Sequence, residues 1–549
     1  MFIIFKYSLK FSVLCFFLNI PIYSSTIFSK NISDNGYKVS DLQKQVDILH
    51  YKLKIRLDTQ NKIIYCENEI TARPLKSTLS EIELNLYDNL DVTDVKIDGK
   101  KSEYYRKNNR IFIKSDNSLA DTFKVFVKYK GKPKRAGFDG FVFGEVNNSK
   151  VVYTISEPNF APTWFVCDDD PADKALLDIE VINDSEFVSV SNGILESVND
   201  SLGQRCYYYK AIYPISTYLI AIYSAPYLQF QDVYRGLSGK DSMQVQYYVL
   251  PEHFENAKVD FAEHINMLKV FSQMFGEYPF IKEKYGVAEF LWNFGAMENQ
   301  TITGVGYNFV SGKNFFTDTY VHELAHHWWG NSVTPKTWED IWLNEGFATY
   351  CEALYAEAKY GKAALISKMA GKFSEQFAGT LYAPKNLFGE TVYDKGAWVL
   401  HMLRFEIGDS SFFKSLRTYY ETFKYSNASV NDFKIVCENI SGKNLDKFFD
   451  QWVYKGNEII KCDYSYSIKS EDNKTFCDFK ISQTQQDYPE FHFPLELLLK
   501  YNDGSTEIKK IVVNSRDQEF KLEIKEPFNE LIIDPDNYLL ALFREVSFE

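Results

Sequence analysis

Residues 322–348 read HELAHHWWGNSVTPKTWEDIWLNEGFA. On a helix, residues four apart lie on nearly the same face, with Cβ atoms about 6 Å apart, so His322 and His326 can present two imidazole nitrogens to one ion. A catalytic zinc site needs a third protein ligand. Two neutral histidines and one carboxylate leave the ion a residual positive charge and a position open to water. The spacing therefore predicts one zinc ion per chain.

Three carboxylates are candidates for the third ligand. We predict Glu345, which stands in Asn-Glu-Gly after eighteen intervening residues. Glu339 and Glu352 are alternatives, and Glu352 is the stronger of the two because it lies on the same predicted helix, 345–359. Glu345 meets the histidines only if the chain turns back between residues 328 and 343. That stretch contains residues typical of turns and helix ends, namely Asn331, Ser332, Pro335 and Lys336.

Glu323 has a different predicted role, because it follows the first ligand by one residue and is rotated about 100° around the helix. A carboxylate in that position can take a proton from a water activated by the metal, which is the work of a general base. The other nearby groups are expected to be structural. His327 and His401 should pack or form hydrogen bonds, and Asp318 or Asp340 could orient a ligand histidine.

The composition limits the protein class. A chain of 549 residues suggests three or four domains. Lys and Arg total 61 against 74 for Asp and Glu, a net charge of −13, which argues against general nucleic-acid binding. The sequence does not indicate an oligomeric state.

The N-terminal residues are typical of a secretory signal. Residues 1–24 contain Lys6 and Lys10, an apolar stretch over 11–20, and then Pro21 before a predicted cleavage near Ser24. An uncleaved membrane anchor is the alternative, although the apolar stretch is short for a spanning helix. We expect a periplasmic or extracellular protein without stable membrane insertion after cleavage. Of the seven cysteines outside the signal, Cys462 and Cys477 flank a predicted hairpin and could pair in an oxidising compartment.

The pattern of apolar residues changes twice along the chain. A segment at 25–47 precedes short alternating stretches over 48–237, which predict a largely antiparallel β domain. Over 238–456 the period lengthens, and helices are predicted at 254–275, 318–330, 345–359, 394–408 and 410–424. Alternation returns over 457–549 and predicts a small β-sandwich.

A second group of residues stands just before the zinc motif. Gly295, Ala296 and Met297 follow a predicted strand, and extended backbone at a sheet edge can bind a peptide as an added strand. Glu298 and Asn299 complete the group, and Glu298 would place a negative charge at one end of that peptide.

The order of these motifs resembles that in the thermolysin-like zinc aminopeptidases, the gluzincins that remove single residues from peptide N-termini. Gly-Ala-Met-Glu-Asn comes first, His-Glu-x-x-His follows, and Glu comes last. The flanking residues 327–331 and 338–348 match in order and spacing, as does Tyr393-Asp-Lys-Gly396. The resemblance runs from about residue 48 to the end.

The resemblance implies a multidomain α+β fold: an antiparallel saddle-like β domain, a mostly helical thermolysin-like catalytic domain and a C-terminal β-sandwich. It also implies peptide substrates with a free N-terminus, whose ammonium group would be bound by Glu298 and by Glu157 in Ser-Glu-Pro. Tyr393 matches the family's catalytic tyrosine and would stabilise the oxyanion. Near Glu157 the sequence departs from a common family form, with Ile155 where Gln is frequent. The chain lacks the large C-terminal helical domain of many members, which leads us to expect an open cleft.

Two alternatives use the same residues differently. A zinc endopeptidase, or a relative of the epoxide-hydrolase type, would share the metal site without needing a free amine. A catalytically inactive binding module would keep the fold without the reaction. The sequence also leaves open whether the metal in the cell is zinc or another divalent ion.

Overall fold

The computed structural model describes residues 39–115, 119 and 121–547. The predicted signal, residues 1–24, lies outside the described residues, as does most of the segment 25–47. Cleavage and export therefore stay predictions.

The first part of the chain is built from strands. Its strands are β1 (Val46–Asp58), β2 (Ile63–Pro74), β3 (Glu81–Asn85), β4 (Leu90–Ile97), β5 (Lys100–Lys101), β6 (Tyr104–Lys107), β7 (Arg110–Lys114), β8 (Phe123–Gly131), β9 (Gly140–Val146), β10 (Ser149–Ile155), β11 (Ala175–Asp184), β12 (Val188–Ser191), β13 (Ile194–Ser201), β14 (Gln204–Ile215) and β15 (Ile222–Ala225). They form an eight-stranded sheet, β13-β14-β11-β1-β2-β8-β4-β5, a four-stranded sheet, β12-β15-β10-β9, and a three-stranded sheet, β3-β7-β6. In the largest sheet only β1 and β11 pair in parallel. The predicted antiparallel β domain is confirmed.

A second sheet system supports the metal motif. Its strands are β16 (Leu228–Arg235), β17 (Ser242–Val249), β18 (Lys284–Phe290), β19 (Ala296–Met297) and β20 (Thr303–Gly306), in the order β16-β17-β18-β20-β19. This sheet begins at Leu228, before the predicted domain limit at residue 237, and the domain limits stay a prediction. A two-stranded pair, β21 (Val333–Pro335) and β22 (Ser426–Ala428), lies further along the chain.

Two helices lie between β17 and β18 in the chain, and the others follow β20. The helices are α1 (Phe254–Asp260), α2 (His264–Phe275), α3 (Thr317–Ala325), α4 (Trp342–Tyr360), α5 (Lys362–Gly371), α6 (Gly396–Ile407), α7 (Asp409–Phe423), α8 (Val430–Ser441) and α9 (Asp446–Phe449), and π-helical turns span Thr391–Lys395 and Asp450–Tyr454. Among the described residues, no helix combines the length and apolar composition needed to cross a bilayer.

Two predicted helices differ from the structure. The helix predicted over 254–275 is two helices. The break follows Asp260, whose buried side chain accepts hydrogen bonds from the backbone N–H groups of Gly312 (2.9 Å) and Asn314 (2.7 Å). Such a long-range contact leaves no trace in the apolar period. The helix predicted over 318–330 ends at Ala325, and the chain continues in tight turns in which the Asn331 N–H donates to the His326 carbonyl at 2.9 Å.

The last part of the chain forms the predicted β-sandwich. Its strands are β23 (Ile460–Glu471), β24 (Lys474–Gln483), β25 (Phe493–Tyr501), β26 (Thr506–Val513), β27 (Asp517–Ile524), β28 (Phe528–Ile533) and β29 (Ala541–Glu545), in the sheets β27-β24-β23-β29 and β26-β25-β28. The suggested Cys462–Cys477 disulfide is wrong for this structure. Both thiols are free, and the hairpin register places Cys462 opposite Gln483 and Cys477 opposite Ile468.

Candidate active site

The zinc motif brings three side chains together. His322 lies in the last turn of α3, His326 follows at its C-terminal cap, and Glu345 lies in the first turn of α4. Glu345 Oε2 is 3.3 Å from His322 Nε2 and 3.4 Å from His326 Nε2. One ligating atom from each residue falls within 4.8 Å of the others. These are the three residues predicted to hold the metal, and two imidazoles with a carboxylate form the donor set expected for catalytic zinc.

Close packing of glycines fixes Glu345 against the rest of the site. Gly346, the next residue of α4, meets Gly396 at the start of α6, and a Cβ built on Gly346 would lie 2.9 Å from the Gly396 Cα. Neither position has room for a side chain, so the two helices approach closely. The turn immediately before α6 carries Tyr393, so this one helix contact positions both the predicted metal ligand Glu345 and the predicted catalytic tyrosine.

Each ligand histidine is oriented through its other ring nitrogen. His322 Nδ1 donates to Glu352 Oε1 at 3.0 Å, and His326 Nδ1 donates to the Trp329 carbonyl at 3.0 Å. Both acceptors are oxygens, so these bonds fix the proton of a neutral ring on Nδ1. The lone pair on Nε2 then stays available for a metal. Glu352, the alternative third ligand, is therefore placed behind His322 rather than at the metal position.

The residues suggested to orient the histidines, Asp318 and Asp340, do something else. The Asp318 carboxylate pairs with Lys368, and Asp340 accepts the Val430 N–H at 3.0 Å. Glu352 takes the orienting role instead. The sequence carried a signal for this, since Glu352 stands seven residues, two helical turns, after Glu345 and thus on the same face of α4.

Lys372 is a further residue that sequence reasoning missed. Its ammonium donates to Glu352 Oε2 at 2.8 Å and lies 3.6 Å from Asp394, the neighbour of Tyr393. It therefore connects the carboxylate behind His322 to the turn that bears the tyrosine. Lys372 follows the end of α5, remote from every motif, and only the tertiary fold brings it here.

Glu323 and Tyr393 lie beside the triad. Glu323 is buried, and burial, partly offset by His322 and His326, raises the pKa of its carboxyl to about 8. The Tyr393 ring stacks against His322, with centroids 5.9 Å apart and planes 14° apart. Burial, then the charge of Glu345, raises the pKa of the Tyr393 phenol well above its usual value, so the phenol stays protonated and able to donate.

Two more carboxylates lie close to the triad. Glu157 follows β10 and Glu298 follows β19, and carboxylate oxygens of both lie within 4.8 Å of each other and of one from Glu345. Both side chains are buried. Glu157 Oε1 and Glu298 Oε1 find no hydrogen-bond donor among the described residues. Burial and the repulsion of Glu298 raise the pKa of Glu157 well above its usual value, and burial raises that of Glu298.

The edge strand β19 contains Ala296 and Met297, and it pairs on one side only, with β20. Gly295 precedes it, and among the described residues a Cβ there would come within 4 Å of the Trp292 ring alone, at 3.7 Å. One cavity of about 330 Å³ is lined by the triad, Glu323, Tyr393, Glu157, Glu298 and residues 295–297. The structure thus brings all ten predicted site residues to a single cleft, while their individual roles stay predictions.

His327 and His401 are structural, as predicted. His327 Nε2 accepts the Thr301 N–H at 3.2 Å, so its Nδ1 donates to the Glu323 carbonyl. Burial lowers the pKa of His327 to about 3. His401 lies between Tyr350 and the Asn537 carbonyl.

The sequence matches two models of one family. Residues 48–219 match the peptidase M1 N-terminal domain, and residues 259–452 match the peptidase family M1 domain. The chain belongs to the peptidase M1 family. The predicted resemblance and its β-rich, helical and β-rich order are confirmed.

Named relatives and solved structures agree with this membership. The chain is 27% identical to probable aminopeptidase 2 of Sulfurisphaera tokodaii, over 75% of this chain and 54% of that one, and 27% identical to aminopeptidase 2 of Candida albicans, over 96% and 60%. It thus spans between half and two thirds of their length. Its fold is similar to the M1 zinc metallopeptidase of Deinococcus radiodurans (TM-score 0.66, 24% identity, covering 75% of this chain and 94% of that one) and to aminopeptidase A of Legionella pneumophila (0.80, 18%, 93% and 60%).

Proposed function

We propose that this protein is a zinc-dependent aminopeptidase, which hydrolyses the first peptide bond of peptides that carry a free N-terminus. The observation that carries the proposal is the pair of unpartnered oxygens, Glu157 Oε1 and Glu298 Oε1, buried beside the triad. A buried carboxylate without a donor is costly unless a ligand supplies one. A substrate ammonium offers three N–H donors and a positive charge, and so fits both oxygens.

The donor set favours a metal between the histidines and Glu345. Both imidazoles have their Nδ1 atoms engaged and their Nε2 atoms directed at the same carboxylate. Burial opposes a charge on His322, but its bonds to Glu345 and Glu352 outweigh that effect and raise its pKa to about 10. The cluster therefore attracts positive charge, which a proton or a metal cation can supply. His322, His326 and Glu345 would hold one zinc ion.

In the proposed reaction, a zinc ion held by His322, His326 and Glu345 would supply Lewis acidity, which polarises a carbonyl and lowers the pKa of a water. Glu157 and Glu298 hold the substrate ammonium, and the open edge of β19 aligns the peptide backbone. Glu323 takes a proton from the water whose oxygen attacks the first carbonyl carbon. Tyr393 donates a hydrogen bond to the carbonyl oxygen as it gains negative charge. The C–N bond then breaks, and Glu323 returns the proton to the leaving amine.

A pair of substrates tests the requirement for a free amine. A dipeptide anilide and its N-acetylated form should differ by several orders of magnitude in kcat/KM, because a blocked end leaves both carboxylates unpaired. Equal turnover would instead assign the endopeptidase alternative. Glu157→Gln and Glu298→Gln should each reduce turnover of the free-amine substrate. Each should therefore also reduce the ratio of kcat/KM between the free-amine and the acetylated substrate. Chelation should abolish turnover and zinc should restore it.

A further inference from the structure

A cluster of aromatic rings lines the cavity next to the proposed amine site. The Phe138 ring meets the Trp292 ring edge to face at 5.6 Å between centroids, and the Phe388 ring at 4.9 Å. These three residues, the aromatic wall, come from three separate segments and all line the same cavity as the triad. Phe294 also lines the cavity and is 62% exposed. Its ring meets the Trp292 ring edge to face, with centroids 6.0 Å apart.

Strand register places this wall beside the amine anchors. Gly140 at the start of β9 pairs with Ile155 at the end of β10. Phe138 stands two residues before that pair and Glu157 two residues after it, so both emerge at the same end of one hairpin. The other two rings are close to site residues in sequence, with Trp292 three residues before Gly295 and Phe388 five residues before Tyr393.

The remaining charges of the cavity are almost all negative. Seven carboxylates line it, and Lys372 is the one ammonium side chain among the lining residues, already paired with Glu352 and 3.6 Å from Asp394. A substrate side chain bearing a carboxylate would be repelled there. The aromatic wall instead offers an apolar surface. An aromatic substrate side chain can pack against it edge to face or in an offset stack.

We infer that the aromatic wall of Phe138, Trp292 and Phe388 binds the side chain of the substrate's first residue and selects for an aromatic one. This inference rests on the proposed aminopeptidase function. The first Cα is bonded directly to the amine nitrogen, so an amine held by Glu157 and Glu298 would place the first side chain near the hairpin end that carries Phe138. The cavity, about 330 Å³, lies at the small end of the range for ligand sites, which suits one side chain with its adjoining backbone.

The test is a panel of single-residue fluorogenic amides of Phe, Leu, Ala, Arg and Glu on the zinc-loaded protein. The kcat/KM for Phe should exceed that for Ala on the order of 10- to 100-fold, which is the effect of burying one large apolar side chain, with Glu the poorest substrate. A panel in which the kcat/KM for Leu, Arg, Ala or Glu equals or exceeds that for Phe would overturn the inference while leaving the aminopeptidase function intact. No hydrolysis of any amide would count against the function itself.

Variants and a binding measurement complete the test. Phe388→Leu keeps an apolar side chain but removes a ring, and should lower the Phe-to-Ala ratio about 2- to 10-fold. Phe315→Leu is the matched control, because Phe315 is 71% exposed and does not line the cavity, and it should leave the ratio unchanged. Calorimetry with free L-phenylalanine and L-alanine reads the same preference without turnover. Equal affinity for the two amino acids, or an unchanged ratio in Phe388→Leu, would refute the role of the wall.

Discussion

Glu352→Gln tests whether the carboxylate behind His322 tunes the metal site. In the wild type the two oxygens of Glu352 serve two donors, His322 Nδ1 at 3.0 Å and Lys372 Nζ at 2.8 Å. Glutamine has the same shape but only one acceptor oxygen. Whichever way its amide turns, an NH₂ group faces a donor, and one buried donor loses its partner.

The expected loss of zinc affinity follows from the one hydrogen bond that glutamine cannot accept. An unsatisfied buried donor costs about 1–3 kcal/mol, and removing a carboxylate that orients a metal-bound histidine typically lowers metal affinity about 10- to 100-fold, or ~1.4–2.7 kcal/mol. We therefore expect Glu352→Gln to bind zinc about 10- to 100-fold more weakly while still binding one ion. Glu345→Gln should lose far more zinc affinity, because it removes the proposed third ligand.

Competition with a chromophoric chelator measures these affinities, and circular dichroism checks that each variant is folded. Glu339→Gln is the control, since Glu339 is an exposed acidic residue near the motif whose carboxylate accepts the Tyr382 hydroxyl at 2.8 Å, away from the histidines. Zinc affinity that is unchanged in Glu352→Gln would refute the orienting role. A larger loss in Glu352→Gln than in Glu345→Gln would show that the two carboxylates had been assigned the wrong way round.

Three further variants address the reaction and the packing. Glu323→Gln should keep zinc, measured by atomic spectroscopy, but lower kcat about 100- to 10,000-fold because the proposed general base is lost, and full activity would exclude that role. Tyr393→Phe should lower kcat about 100- to 1,000-fold with little change in KM, since the phenol would act on the transition state; a change in KM alone would contradict this. Gly346→Ala places a methyl group 2.9 Å from the Gly396 Cα and should lower the free energy of unfolding by about 1–3 kcal/mol, whereas an unchanged melting temperature would mean that α4 and α6 can separate.

The sequence could predict that His322, His326 and Glu345 lie together because their arrangement is mostly local. His322 and His326 share a helical face by spacing alone, and Glu345 needs only one reversal of the chain. The β-rich, helical and β-rich order followed from the change of apolar period. These features depend on residues close together in sequence, which is where pattern reasoning is strongest.

What the sequence could not show depends on long-range contacts. The break between α1 and α2 coincides with the bonds that Asp260 makes to residues 312 and 314, and the role of Glu352 depends on His322 facing it from another helix. The aromatic wall unites three segments that are scattered over 250 residues. In the C-terminal hairpin, the exact register separates Cys462 from Cys477, and strand alternation alone does not fix that register.

The concentration of negative charge explains how one cleft could couple metal, amine and selectivity. Glu157, Glu298, Glu323 and Glu345 are all buried around the same cavity, and mutual repulsion makes the arrangement costly unless cations balance it. A metal would balance the side of the histidines, and a substrate ammonium the side of Glu157 and Glu298. An acetylated N-terminus carries no charge. It would displace water from the two carboxylates without pairing with either of them. Discrimination against blocked peptides would thus come chiefly from this cost to the wrong substrate, rather than from any extra contact made by the right one.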